Sequence, residues 1–219
     1  MLEAAGKAGV RRVVLLSFLR ARPNCGSGYH ESKWAAEELV RASGLDYVVV
    51  KATMMYGRGD HMLDHISHAL HTIPIFTTIG LRDRIVAPLA VEDTVRILIG
   101  ALTTDRLAGR TVSVIGPERL WFADAVRRVA RAIGKLVLIV PAPVTALRVV
   151  AWVAERTMHV PLLALAQARI LAEGVRPVPG SDPLPDDLAP RVRFTPAAIR
   201  RGLPPRGPFR LQDFRLPGR

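Results

Sequence analysis

Val13-Val14-Leu15-Leu16-Ser17 and Tyr47-Val48-Val49-Val50, separated by a helical pattern that opens at Tyr29, decide the fold. Each is a continuous apolar run rather than an alternating one, the mark of a strand buried on both faces of a parallel sheet. Between them a loop rich in Gly, Pro and Asn leads into a helix from Tyr29 to about Ser43, stopped by Gly44. Trp34, Ala35, Leu39 and Val40 are expected on its inner face, with Glu37, Glu38 and Arg41 outside. Strand, helix and strand in this order predict an α/β fold with a parallel sheet.

The same reading extends both ways. Met1 to Ala8 reads as the last turns of a helix with Gly9 as its stop. Downstream, Tyr56-Gly57-Arg58-Gly59-Asp60 is a turn opening a helix, and Arg84-Ile85-Val86-Ala87 a short strand. Glu92 and Asp93 supply first-turn acids to a helix whose Val95, Leu98, Ile99 and Leu102 are expected inward. After a strand at Thr111 to Ile115, Phe122, Ala125, Val126, Val129, Ala130 and Ile133 keep helical spacing up to Gly134. A strand at Leu136 to Val140 and helices near Val144–Arg156 and Leu162–Glu173 follow. Beyond Glu173 stand ten of the 17 prolines, so 174–219 is expected to be loop-like or partly disordered. The expected division is a sheet domain over 1–115, a small, mainly helical lobe over 116–173, and that tail.

Composition narrows the function classes. A hydrophobic fraction of 49% with 23% charged residues is globular. One cysteine, Cys25, leaves no disulfide framework and no sulfur-rich zinc site, which fits a reducing, cytoplasmic setting. The net charge of +12 raises the question of nucleic acid. Only four of the 31 basic residues are lysine, and nine arginines fall in the tail, which is dispersion rather than a built basic face. No specific nucleic-acid partner is expected. Leu136 to Val153 is apolar enough to touch a membrane surface, but core packing is the reading preferred here.

Tyr29-His30-Glu31-Ser32-Lys33 carries the chemistry. Positions i and i+4 share a helical face, so the Lys33 ammonium can stand near the Tyr29 hydroxyl and favour its phenolate. A tyrosine tuned in this way exchanges a proton with a carbonyl oxygen. The pair starts a helix just after a buried strand, at the carboxyl edge where open α/β sheets place ligands. Ser17 ends that strand, twelve residues before Tyr29, and its hydroxyl can orient the same substrate oxygen.

Gly9 to Ser17, Tyr29 to Glu37, and Ser43 to Val50 together resemble the latter half of the Rossmann domain of short-chain dehydrogenase/reductases. Met55-Tyr56-Gly57-Arg58-Gly59-Asp60, Pro88 to Asp93 and Gly116-Pro117-Glu118 extend the likeness. The subgroup most resembled is the atypical one of NAD(P)-binding, epimerase-like proteins and the Rossmann-type accessory subunit of respiratory complex I. The resemblance implies Tyr29 as proton donor or acceptor, Lys33 as ribose contact and tuner, and Ser17 as substrate orienter. It also implies that the segment Lys51-Ala52-Thr53 brings Ala52 and Thr53 against the nicotinamide of NAD or NADP. Ala52 stands where the family usually has proline, and Phe18 where a second small polar residue is common.

The family's opening strand, glycine-rich turn and helix, which hold the pyrophosphate, have no counterpart in this sequence. An incomplete Rossmann-like sheet is therefore expected: the preferred reading puts the missing half upstream of Met1, and the other is a degenerate homologue that no longer binds a dinucleotide. The implied function is NAD(P)-dependent oxidoreduction or epimerisation of a small-molecule carbonyl or alcohol. The alternative is a catalytically silent binding or assembly module. Asp60, His61, Asp64, His65, His68 and His71 have a spacing that can suit a metal. They lack a His-Glu-x-x-His pattern and a cysteine partner, so a solvated helix face is expected and no metal site.

Overall fold

The computed structural model describes residues 1–80, 82–157, 173–175, 180–205 and 207–208. Along the chain run α1 (Leu2–Lys7), β1 (Arg12–Phe18), α2 (Gly28–Arg41), β2 (Asp46–Ala52), β3 (Met55–Tyr56), α3 (His61–Thr72) and β4 (Ile75–Ile79). Then come β5 (Ile85–Val86), β6 (Leu89–Ala90), α4 (Val91–Thr103), β7 (Arg110–Val114), β8 (Leu120–Trp121), α5 (Phe122–Ala132), β9 (Leu138–Ala142), α6 (Val144–Thr157) and α7 (Pro196–Gly202). The helix expected near Leu162–Glu173 lies almost wholly outside the described residues. Two units form, each from several stretches. The first holds Met1–Met55, Pro88–Pro117 and the described residues of 176–192; the second holds Tyr56–Ala87 and the described residues of 118–175 and 193–219.

The first unit is built on a three-stranded parallel sheet in the order β1-β2-β7. The β-branched run of β2 makes it the central strand, with Val48, Val49 and Val50 fully buried. Because side chains alternate across a strand, Val48, Val50, Ala52, Val112 and Val114 share one face, where Ile97 and Ala101 of α4 complete an apolar core. Ser17, Lys51 and Ser113 lie at one register level of the other face, which α2 covers. Strand β1 pairs on one side only among the described residues, and Val13 to Leu16 are half-buried. The outer edge of β7 meets the C-terminal segment, where the Asp182 amide donates to the Thr111 carbonyl at 2.8 Å.

Arg12 fastens the start of this sheet. Its guanidinium donates to Asp46 at 2.5 Å, to Asp105 at 2.6 Å and to the Ala101 and Thr104 carbonyls at 3.1 and 2.6 Å. Those carbonyls end α4, so one buried cation satisfies groups that the helix cannot satisfy itself.

Two expected helix faces are corrected by the structure. In α2, Glu37 is buried and Leu39 is 64% exposed, because a buried lysine draws Glu37 inward. In α4, Val95, Ile99 and Leu102 are exposed, and Asp93, Thr94, Ile97, Gly100 and Ala101 face inward. Asp93 takes the inner place because its carboxylate accepts the Arg191 and Val192 amides, both at 2.8 Å.

In the second unit the strongest periodic segment behaves as read: Phe122, Ala125, Val126, Val129 and Ala130 of α5, and Ile133 just after it, are all buried. α5 packs on α3 and α7. Asp60 caps α3, accepting from the Leu63 and Gly57 amides, both at 2.7 Å. β4 runs parallel to β9, and β5 antiparallel to β8. Phe194 and Ile199 of the Pro-rich tail are buried, and the Tyr56 hydroxyl donates to the Arg193 carbonyl at 3.1 Å. The described part of the tail is thus packed rather than loose. Core packing does not hold for Leu136, Leu138, Val149, Val150, Trp152 and Val153, which are exposed. No helix among the described residues is long and apolar enough to cross a membrane.

Candidate active site

The loop after β1 turns through Asn24 and Gly26, both at positive φ, and delivers Tyr29 to the first turn of α2. That helix start is closed by the chain's own carboxylate: Glu31 accepts from the Cys25 and Gly26 amides at 2.8 and 2.7 Å. Ser27 and His30 add a side-chain hydrogen bond of 2.7 Å. Tyr29 packs against Phe18 and His30, with ring centroids 5.6 and 5.7 Å apart, and remains 40% exposed. Its hydroxyl has no hydrogen-bond partner among the described residues, so it is available to a ligand oxygen.

Lys33, one turn on, donates through Nζ to the Leu16 carbonyl at 3.3 Å. The expected depression of the Tyr29 pKa by this lysine is not what the site produces. Burial against the neighbouring rings pushes the phenol above its ordinary value. Lys33 is anchored to the backbone of β1, and desolvation sets the direction.

Ser17 departs further from expectation. It is buried, and its Oγ donates to Glu37 Oε1 at 2.5 Å. Glu37 in turn accepts from Lys51 Nζ at 2.8 and 2.9 Å and from Arg41 at 3.0 Å. With its one proton committed to Glu37, Ser17 offers a substrate oxygen only lone pairs. Ala52 and Thr53, the expected nicotinamide neighbours, are buried at the end of β2. The Ala52 carbonyl accepts from the Leu19 amide at 2.8 Å, and the Thr53 amide donates to the Val114 carbonyl at 3.0 Å.

The structure therefore keeps Tyr29 and Lys33 on neighbouring turns of one helix and assigns Ser17 to a separate buried cluster. Glu37 and Lys51 were missed as a pair. The available signal was a lysine inside a continuous strand run, which at that position demands a buried anion.

The residues present fit one end of a nicotinamide dinucleotide. Tyr29 and Lys33 supply a free hydroxyl and an ammonium at a sheet edge, suited to a ribose and a carbonyl oxygen. The Cys25 and Gly26 amides of the loop before α2 are already taken by Glu31, so they are not open to a pyrophosphate. Three of the four histidines of α3 are likewise engaged locally. His65, His68 and His71 hydrogen-bond through Nδ1 to the carbonyls four residues back, at 3.0, 2.9 and 2.8 Å.

Comparison with known proteins places this geometry in context. No protein-family model matches the chain. Among relatives in sequence, the mitochondrial NADH-ubiquinone oxidoreductase 40 kDa subunit of Neurospora crassa is 26% identical over 162 residues, 74% of this chain and 42% of that protein. Among solved structures, the NADPH-dependent quinone oxidoreductase of Escherichia coli superposes with a TM-score of 0.66 at 14% identity, covering 90% of this chain and 70% of that one. The UDP-glucuronic acid 4-epimerase of Bacillus cereus, in complex with NAD, gives 0.62 at 15% identity, covering 92% and 63%. The fold is thus the α/β, Rossmann-like one of NAD(P)-binding epimerases and reductases. The chain spans 14% of mycobacterial, 31% of mammalian and 42% of fungal relatives.

Proposed function

We propose that this chain carries the acid/base portion of an NAD(P)-dependent oxidoreductase or epimerase acting on a small-molecule carbonyl or alcohol. The observation that supports this most is the unpartnered Tyr29 hydroxyl, half-exposed at the carboxyl edge of a parallel sheet, with Lys33 one turn away. A nicotinamide would supply the hydride. Tyr29 would give its proton to the carbonyl oxygen of the substrate, or take one from the alcohol. A phenol held above its ordinary pKa is a proton donor at neutral pH, which favours the reductive direction. Lys33 would hold ribose hydroxyls while anchored to the Leu16 carbonyl. Glu37, Lys51 and Ser17 would stiffen α2 against the sheet rather than touch substrate.

We infer further that residues encoded upstream of Met1 hold the diphosphate and adenosine of the cofactor. The edge of β1 that meets no strand among the described residues supports this, as does the 42% share of the fungal relative that the chain spans. Fluorescence titration with NADPH, on this chain and on a version with the upstream coding sequence restored, is the test. Saturable binding in the longer protein alone is expected. Binding in neither favours the second reading, a silent binding or assembly module, which the committed Ser17 proton also suits.

A further inference from the structure

α6 turns its apolar stripe outward. Leu147 is buried, whereas Val149, Trp152, Val153 and Arg156 are exposed. These four recur at steps of three and four residues, so they form one stripe of the helix, turned away from Leu147. β9, separated from α6 by Pro143 alone, also exposes apolar side chains. Leu138 and Val140 are 61% and 40% exposed, on the face of the β4-β9 pair that also carries Ile75. Exposed apolar surface of this extent marks a docking site.

The charge of the same unit indicates what docks there. Basic residues are dispersed along the sequence, but folding sorts them. The described residues of the second unit include 13 Arg or Lys and 7 Asp or Glu, an excess of six; in the first unit the counts are 12 and 11. A second copy of the same unit would set like charge against like, whereas anionic lipid headgroups neutralise it.

Trp152 and Arg156 fit a lipid boundary in detail. The Arg156 guanidinium lies 3.9 Å from the centre of the Trp152 ring, which puts a cation inside the apolar stripe. An indole ring settles at headgroup depth, and a guanidinium beside it pairs with lipid phosphate. The 14 residues of α6 rise by about 21 Å, short of the roughly 30 Å of a hydrocarbon core, so the helix can lie along a bilayer but not cross it.

We propose that α6 docks this chain on an anionic membrane surface, lying in the headgroup plane with Val149, Trp152 and Val153 toward the acyl chains. The proposal does not depend on the redox reading of Tyr29, which belongs to the first unit.

Co-sedimentation of the chain with vesicles of phosphatidylglycerol and phosphatidylcholine, and with vesicles of phosphatidylcholine alone, is the test. Sedimentation with the anionic vesicles, weakened by added sodium chloride, is expected. Val149→Asp combined with Val153→Asp should raise the lipid concentration for half-binding about tenfold or more, with circular dichroism unchanged. Leu39→Asp, an exposed apolar position in the first unit, should leave it as it is. Independently of any loss of folding in the double variant, the emission of the wild type minus that of Trp152→Phe should shift to the blue with anionic vesicles. Equal sedimentation with both vesicle types, sedimentation with neither, half-binding unmoved in a folded double variant, or an unshifted difference spectrum would overturn the proposal. So would a dimer in light scattering that the double variant dissociates, since the stripe would then belong to a second copy.

Discussion

Tyr29 and Glu37 show how far environment decides what a side chain does. Desolvation alone raises the Tyr29 pKa, so its phenolate should appear above pH 10. Ultraviolet titration of the wild type minus Tyr29→Phe reads this tyrosine alone; a midpoint below 9 would mean that Lys33 prevails after all. Glu37 is 1% exposed and anchors Ser17, Lys51 and Arg41. Glu37→Ala should cost about 3–5 kcal/mol, since it strands a buried lysine. Glu37→Leu combined with Lys51→Met should recover most of that loss in urea unfolding. Tyr29 and Lys33 were legible in the sequence because their spacing alone places them on one helical face. Glu37 was not, because an acid among surface acids on an amphipathic helix reads as solvated until its strand partner is known.

At the level of elements, legibility followed contrast. α5 has apolar residues on one face and arginines on the other, and its buried set came out as read. α4 offers two competing faces: a stripe of large apolar residues, and a stripe of small ones around Asp93. The small stripe is buried because it lets the helix approach closely. A Cβ on Gly100 would stand 2.8 Å from Leu188 Cδ2. Asp93 therefore holds two amides of the C-terminal segment, and Asp93→Ala should destabilise by about 1–3 kcal/mol, the cost of unsatisfied buried donors. A stability within a few tenths of the wild type would show that segment to be dispensable to α4. In the second unit, α7 approaches the turn before α3 so closely that a Cβ on Gly202 would lie 3.0 Å from Gly57 backbone atoms. Backbone cannot yield as a side chain does, so Gly202→Ala should cost about 1–3 kcal/mol. An unchanged Tm would contradict that packing.

Across the whole molecule, the α/β class, the parallel sheet and its helices were accessible from hydrophobic patterning. The packed C-terminal segment was not, since proline-rich sequence reads as loop, although Phe194 and Ile199 bury themselves in it. Acid stability follows from the same ion pairs. The Arg128 hydrogen bond at 2.9 Å, with Arg193 at 3.6 Å, holds the Glu118 carboxyl below its usual range. A depressed folded pKa gives stability that is present above the unfolded value of about 4.3 and lost as pH falls through the folded one. The Tm should therefore drop on acidification below that point, and less steeply in Glu118→Gln.

The central claim is that the Tyr29 hydroxyl exchanges the proton in a nicotinamide-dependent reaction. The most direct measurement is NADPH-dependent carbonyl turnover of the chain together with any upstream coding sequence, compared with the same protein carrying Tyr29→Phe. Loss of a general acid predicts a fall of about 10²–10⁴-fold with NADPH binding retained. Equal turnover in the two proteins would contradict the account.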